Sequence, residues 1–172
     1  MKVVREQHKS WLKTRWGRNL INNIVYNLNK GKEISGLLKE VPQNENIPPR
    51  EEFIDLRGID FSHQNLRGPW TMHNGQRYRK GICLKKADFS YANLAWVILP
   101  RADLRGSMFI ETDLSNAELI YSDFSYTDLS GANLKEAWLL DTKFYESKVS
   151  ENQLKNRMNI KQMDFDYHAY EM

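Results

Sequence analysis

Every fifth residue from Leu84 to Val149 is large and apolar: Leu84, Phe89, Leu94, Leu99, Leu104, Phe109, Leu114, Leu119, Phe124, Leu129, Leu134, Leu139, Phe144 and Val149, of which 13 of the 14 are Leu or Phe. Two residues before each stands a small or β-branched residue, from Ile82, Ala87 and Ala92 through Thr142 and Ser147. A period of five matches neither the 3.6 of an α-helix nor the 2 of a flat strand, so the unit is a short extended piece followed by a corner. If both apolar residues of a unit point inward, the residue between them points outward. That intervening residue is often Asp or Asn: Asp88, Asn93, Asp103, Asp113, Asp123, Asp128 and Asn133. Their side chains suit backbone N–H groups at a turn. Each unit becomes one side of a tube, and the coils stack about 4.8 Å apart.

The repeat begins earlier, with Leu56, Phe61 and Leu66 preceded by Asp55, Asp60 and Asn65. Five does not divide the separation of Leu66 and Leu84, so an insertion between Gly68 and Gly81 is expected to leave the tube as a loop. It carries Trp70, His73, Arg77, Tyr78, Arg79 and Lys80, which are candidate partner-binding residues because a loop on a rigid scaffold is a usual place for function. The plainer alternative is a surface loop with Trp70 and Tyr78 laid on the tube.

The flanks read as helical. Leu12, Trp16, Leu20, Ile24 and Leu28, widened by Ile21 and Val25, predict an amphipathic helix over 9–30 ended by Gly31. Its cationic face of Lys9, Lys13, Arg15 and Arg18 reads as a solvated face before it reads as a membrane or nucleic-acid surface. A short helix is expected over Glu33–Glu40, and Pro42, Pro48 and Pro49 mark a linker. Ser150-Glu151-Asn152-Gln153 has the form of a capping box and predicts a closing helix with Leu154 and Met158 facing inward. Beyond it, Met163, Phe165, Tyr167 and Tyr170 alternate with charge and pack in cis or on a partner. The expected organisation is a helical cap and linker over 1–52, a repeat tube over 53–149 and a C-terminal cap over 150–172.

Ala102-Asp103-Leu104-Arg105-Gly106, Thr127-Asp128-Leu129-Ser130-Gly131 and Ala132-Asn133-Leu134-Lys135-Glu136 resemble the A(D/N)LXX unit of the pentapeptide-repeat family. The resemblance implies a mainly β fold, a right-handed quadrilateral β-helix with four units and 20 residues per coil. Sorted on that period, the units of Leu99, Leu119 and Leu139 share a side that projects Ile98, Pro100, Ile120, Tyr121, Trp138 and Leu140, with Trp96 at its leading corner. This apolar wall is either a docking surface or the seat of the N-terminal helix. The second reading is preferred here, and it puts Trp16 and Leu20 near Trp138.

Composition narrows the function. The single cysteine, Cys83, excludes an internal disulfide and fits a reducing compartment. The first residues lack the apolar run of a signal peptide, and no stretch is apolar enough to span a bilayer, so the cytoplasm is expected and membrane insertion is not. His8, His63, His73 and His168 lack metal-ligand spacing, and no phosphate-loop, dinucleotide or nucleophile-elbow motif occurs. No metal, cofactor or catalytic residue is therefore expected, and the carboxylates follow the repeat rather than a reaction. Residues 1–83 carry a net charge of +7 and residues 84–172 one of −4.

The reading these features favour is a non-enzymatic scaffold for a protein partner, with a homodimer as an open alternative and nucleic acid disfavoured. The family resemblance implies a second reading, since some members act on DNA gyrase as mimics of the duplex and confer resistance to its inhibitors. That mimicry needs a sustained negative surface, whereas the run from 84 to 149 carries only −3.

Overall fold

The computed structural model describes residues 14–39 and 52–155. Helix α1 spans Arg15–Asn29 and a single turn, α2, spans Ser35–Leu38. The short strand β1 (Ile54–Asp55) opens the tube, β2 (Trp70–His73) and β3 (Gln76–Arg79) form the insertion, β4 (Ala87–Asp88) pairs with β1, and α3 (Glu151–Lys155) ends the described chain.

From Cys83 onward the coils are in parallel register at a spacing of 20 residues, as in Cys83↔Asp103↔Asp123↔Lys143 and Ile98↔Glu118↔Trp138. Twenty residues at five per side give four sides per coil. The inward residues stack accordingly: Leu56, Phe89, Phe109 and Leu129 on the first side, Phe61, Leu94, Leu114 and Leu134 on the second, Leu66, Leu99, Leu119 and Leu139 on the third, and Leu84, Leu104, Phe124 and Phe144 on the fourth. All but Phe144 are buried, and the Phe89–Phe109 and Phe109–Phe124 rings stand 5.0 Å apart inside the tube.

The backbone is satisfied between coils. In one unit Asp103 N–H donates to Ile82 O on the coil before, while Leu104 N–H and Gly106 N–H donate to Asp123 O and Ser125 O on the coil after. Ala102 N–H, pointing inward, meets the Ser122 hydroxyl at 3.1 Å, and that hydroxyl donates to Leu99 O at 2.8 Å. Ser107 repeats this bridge between Ala87 N–H and Leu84 O, and Thr112 and Thr142 donate in the same way to Phe89 O and Leu119 O, so these polar members of the small-residue row make core hydrogen bonds and are not defects. The outward Asp and Asn residues take the turn role read from the sequence: Asp88, Asn93, Asp113, Asp123, Asp128 and Asn133 each accept the N–H two residues on.

Each corner is a residue with positive φ, recurring every five from Gly81 to Glu146, most of them not glycine. Such a conformation costs about 1 kcal/mol in an ordinary side chain. The ladder holds it, since the corner N–H of Tyr91, Trp96 and Arg101 each donates to the next coil.

The flanking elements close the ends. Thr14 caps α1 by accepting Gly17 N–H at 3.0 Å, and Gly31 (φ 68) ends it with the paired Gly31 N–H to Leu28 O and Lys32 N–H to Asn27 O bonds of a Schellman motif. The part of the expected helix before Thr14, the Pro42–Pro49 linker, Met158 and the aromatic tail lie outside the described residues. The second helix is shorter than expected: it starts at Ser35, whose hydroxyl donates to Glu33. At the other end Ser150 and Gln153 form the expected capping box, and Gln153 Nε2 donates to Leu129 O and Ala132 O, joining α3 to the last coil.

The N-terminal helix does not sit where its stripe suggested. Leu20, Ile21, Ile24 and Leu28 join the same core as Leu56, Phe61, Leu66 and Leu84, while Asn29 bonds Asn65 O and Gly68 N–H. Helix α1 thus covers the open mouth of the first coil. Trp16 and Trp138 remain half exposed, so the expected pairing of Trp16 and Leu20 with Trp138 is not formed. At the mouth Leu20, Ile21, Ile24 and Leu28 are all buried, which removes the whole stripe from water.

Candidate functional site

The insertion leaves the tube at one corner. Residues of the first coil pair with partners 33 positions on, as in Asp60↔Asn93 and Asn65↔Ile98, whereas later coils pair at 20. The difference of 13 is the stretch 69–81, and it enters where the third side meets the fourth. Gly68 and Gly81 are its two ends, both with positive φ, and a Cβ on Gly68 would lie 2.4 Å from the Gly81 carbonyl carbon.

The insertion is a β-hairpin, not the irregular loop expected. Asn74 (φ 48) and Gly75 (φ 75) supply two consecutive left-handed residues, the requirement of the tightest hairpin turn. The Asn-Gly pair between Trp70-Thr71-Met72 and Gln76-Arg77-Tyr78 was the signal for it in the sequence. The pairs Trp70↔Arg79, Thr71↔Tyr78, Met72↔Arg77 and His73↔Gln76 divide the side chains between two faces.

One face gathers Trp70, Arg77 and Arg79. Both guanidinium carbons lie over the Trp70 ring, at 4.4 Å for Arg77 and 4.2 Å for Arg79, and Arg79 also donates to Gly68 O at 2.7 Å. The other face carries Tyr78, with His73 edge-on to its ring at 6.4 Å. Lys80 stands at the base, where its N–H donates to Pro69 O. The three cations expected as one cluster are therefore a stacked Arg pair and a separate lysine. Between the Trp70 face and α1 runs an open groove of about 790 Å³, lined also by Val25, Asn29, Lys30, Gln64 and Asn65.

The apolar wall lies on the third side, the one whose corner bears the hairpin. Trp96, Tyr121 and Trp138 are each exposed, while Ile98, Ile120 and Leu140 are half-buried. Trp96 stacks on His63 (6.0 Å, 8° between planes), and Arg101 lies 4.5 Å over Tyr121. Glu118, which the sequence reading passed over, stands in the row between Ile98 and Trp138, and Arg67 of the first coil reaches it at 3.4 Å. The wall is thus an aromatic surface crossed by one ion pair, continuous with the root of the hairpin.

The remaining surface is mostly solvated polarity, apart from the exposed Tyr126 and Tyr145, whose rings meet edge-on at 5.5 Å. On the fourth side Arg105 holds the Asp103 carboxyl below the usual carboxylate range by a hydrogen bond at 2.8 Å, with Lys85 assisting at 3.1 Å. Burial pushes the Asp128 carboxyl up, but hydrogen bonds from Ser130 and Lys148 outweigh it and leave it lowered. Arg57, held by Asp55 in a paired contact, is raised above its usual value. Among the described residues no group of His, Cys, Asp and Glu is placed to hold a metal ion, and no helix is long and apolar enough to cross a membrane. Cys83 is exposed on the fourth side.

Residues 87–120, 99–135 and 112–150 match the family model described as Pentapeptide repeats, in 8 copies. Residues 87–150 thus carry the pentapeptide repeat, and their stacked coils form a β-solenoid; that family is generally non-enzymatic. No curated protein matches it. Among solved structures, a pentapeptide repeat protein from the Arabidopsis thaliana thylakoid lumen is 28% identical and aligns over 55% of this chain and 60% of its own, with a TM-score of 0.28. HetL, a pentapeptide repeat protein involved in heterocyst differentiation regulation from the cyanobacterium Nostoc, is 24% identical over 54% of this chain and 37% of its own, with a TM-score of 0.27. QnrB1, a plasmid-mediated fluoroquinolone resistance protein, is 18% identical over 58% of this chain and 62% of its own, with a TM-score of 0.23. The chain spans less than two thirds of the length of each.

Proposed function

We propose that the protein is a non-enzymatic scaffold that holds a protein partner against the third side of its tube and the hairpin that leaves it, and that it does so in the cytoplasm. The tube is the right-handed quadrilateral coil that the repeat implies, with 1–52 as N-terminal cap and linker, 53–149 as the binding body and 150–172 as C-terminal cap. The observation that carries this reading is the exposure of Trp96, Tyr121 and Trp138 on the third side with Trp70 on the hairpin beside them, four aromatic residues against the Tyr126 and Tyr145 pair exposed near the fourth side. Aromatic residues on rigid backbone are the usual anchors of protein interfaces. The gyrase reading is the weaker of the two, because the carboxylates of the fourth side are matched by Lys85, Arg105 and Lys143 rather than left as a negative strip.

The test is affinity capture by the intact chain from cells that make it, compared with a variant lacking 69–81 and with Ile120→Asp/Trp138→Ser. One partner held by the intact chain and lost by both variants, each folded by circular dichroism, is the expected result. A partner held equally by all three, self-association as the sole interaction, or inhibition of gyrase supercoiling that survives both changes would each overturn it.

A further inference from the structure

We infer that the groove between α1 and the hairpin is a site for an acidic, extended segment of the partner protein. This rests on the scaffold reading and adds to it the chemistry that the groove selects. Three cations line it, Lys30 just past the end of the helix and Arg77 and Arg79 from the hairpin, and none of its lining residues is a carboxylate. Helix α1 itself has no acidic residue. The hairpin likewise has none between Pro69 and Gly81. Positive potential therefore converges on the groove without local compensation, which raises the local concentration of an anionic ligand.

The geometry favours carboxylates. Contact with the Trp70 ring holds both guanidinium groups at the groove, and a guanidinium offers N–H groups as a fork that matches a carboxylate. Arg79 is further tied to Gly68 O, so little side-chain freedom is left to lose on binding. Asn29, Gln64 and Asn65 add polar groups along the floor for the backbone of an extended chain, and the half-exposed Trp70 ring offers an apolar contact. A nucleic acid would need a track of cations following its phosphates. Here the neighbouring cations do not continue such a track: Arg67 is engaged by Glu118 and Arg101 lies over the Tyr121 ring.

The test is fluorescence anisotropy on the full chain with three labelled probes: an acidic peptide of alternating Glu and Tyr, the same peptide with Lys for Glu, and a single-stranded oligothymidine of matching length. The acidic peptide should bind in low salt and weaken as salt screens the charges. Arg77→Ser/Arg79→Ser should lower its affinity at least about tenfold, and Lys30→Ser, on the other wall of the groove, should lower it in the same direction, whereas Lys143→Ser/Lys148→Ser at the far end should leave it unchanged. Lys30→Ser keeps the test open if the hairpin variant fails to fold. Equal or tighter binding of the oligothymidine would identify a phosphate site and overturn the inference, as would an acidic peptide that does not bind or whose binding all three variants leave unchanged. Because the probe is defined, failure here with partner capture intact would reject the groove while leaving the scaffold reading standing.

Discussion

Gly68 and Gly81 stand back to back at the root of the hairpin, and Gly81 lies so close beneath the next coil that a Cβ there would come 2.1 Å from Arg101 O. The two glycines occupy one corner between them: Gly68 ends the third side of the first coil, and Gly81 takes the place directly under Arg101. The 13-residue insertion leaves and rejoins the coil at one point, which is how the tube keeps its register around it.

Removal of 69–81 should therefore leave a continuous tube, because Gly68 followed by Ile82 restores the five-residue spacing. The deletion variant is expected to unfold within a few degrees of the intact chain in a thermal melt. Gly81→Ala should cost more than about 3 kcal/mol, from backbone overlap added to left-handed strain. Gly75→Ala, with the same sign of φ but open space around it, should cost about 1 kcal/mol. Equal losses for the two by urea unfolding would mean that the close approach at Arg101 relaxes.

The core discriminates sharply between inward and outward positions. Leu119→Asp places a carboxylate where the side chain is fully buried, and it should prevent folding. Asp113→Ala removes the cap on Ser115 N–H and should cost about 1 kcal/mol. Ser122→Ala falls between, about 1 to 3 kcal/mol, because it strands both Ala102 N–H and Leu99 O inside the tube. Circular dichroism across a urea series orders the three.

Acid should act through the carboxylates of the fourth and first sides. Asp103 is lowered by Arg105 and Lys85, and Asp128 by Ser130 and Lys148 against the opposing effect of burial. A carboxyl depressed in the folded state contributes stability above its unfolded value of about 3.9, and that contribution is lost as pH falls through the folded value. Asp103→Asn/Asp128→Asn should thus be less stable than the intact chain at pH 7, by no more than about 1 kcal/mol given the exposure of these groups, and should converge with it in strong acid. Melts at pH 7 and below pH 3 make the comparison; a constant difference would place the effect outside these titrations.

What was legible in the sequence was what repeats locally. Alternation along an extended unit dictates that Leu114 points in and Asp113 out whatever the rest of the chain does, and a spacing that five does not divide demands an insertion between Leu66 and Leu84. The caps at Gly31 and at Ser150 with Gln153 were readable for the same reason, since each is closed by neighbours within a few residues. The candidate surface depended on contacts distant in the chain. The stripe of Leu20, Ile24 and Leu28 fits any apolar surface, and only the assembled mouth of the first coil, with Asn29 tied to Asn65 and Gly68, selected it over the wall. The stacking of Arg77 and Arg79 on Trp70 required the hairpin register, and the ion pair of Arg67 with Glu118 required the coils to bring together residues 51 positions apart. A five-residue pattern specifies direction at each position, but which side chains become neighbours follows from winding, and winding is settled only when the backbone ladder closes between coils.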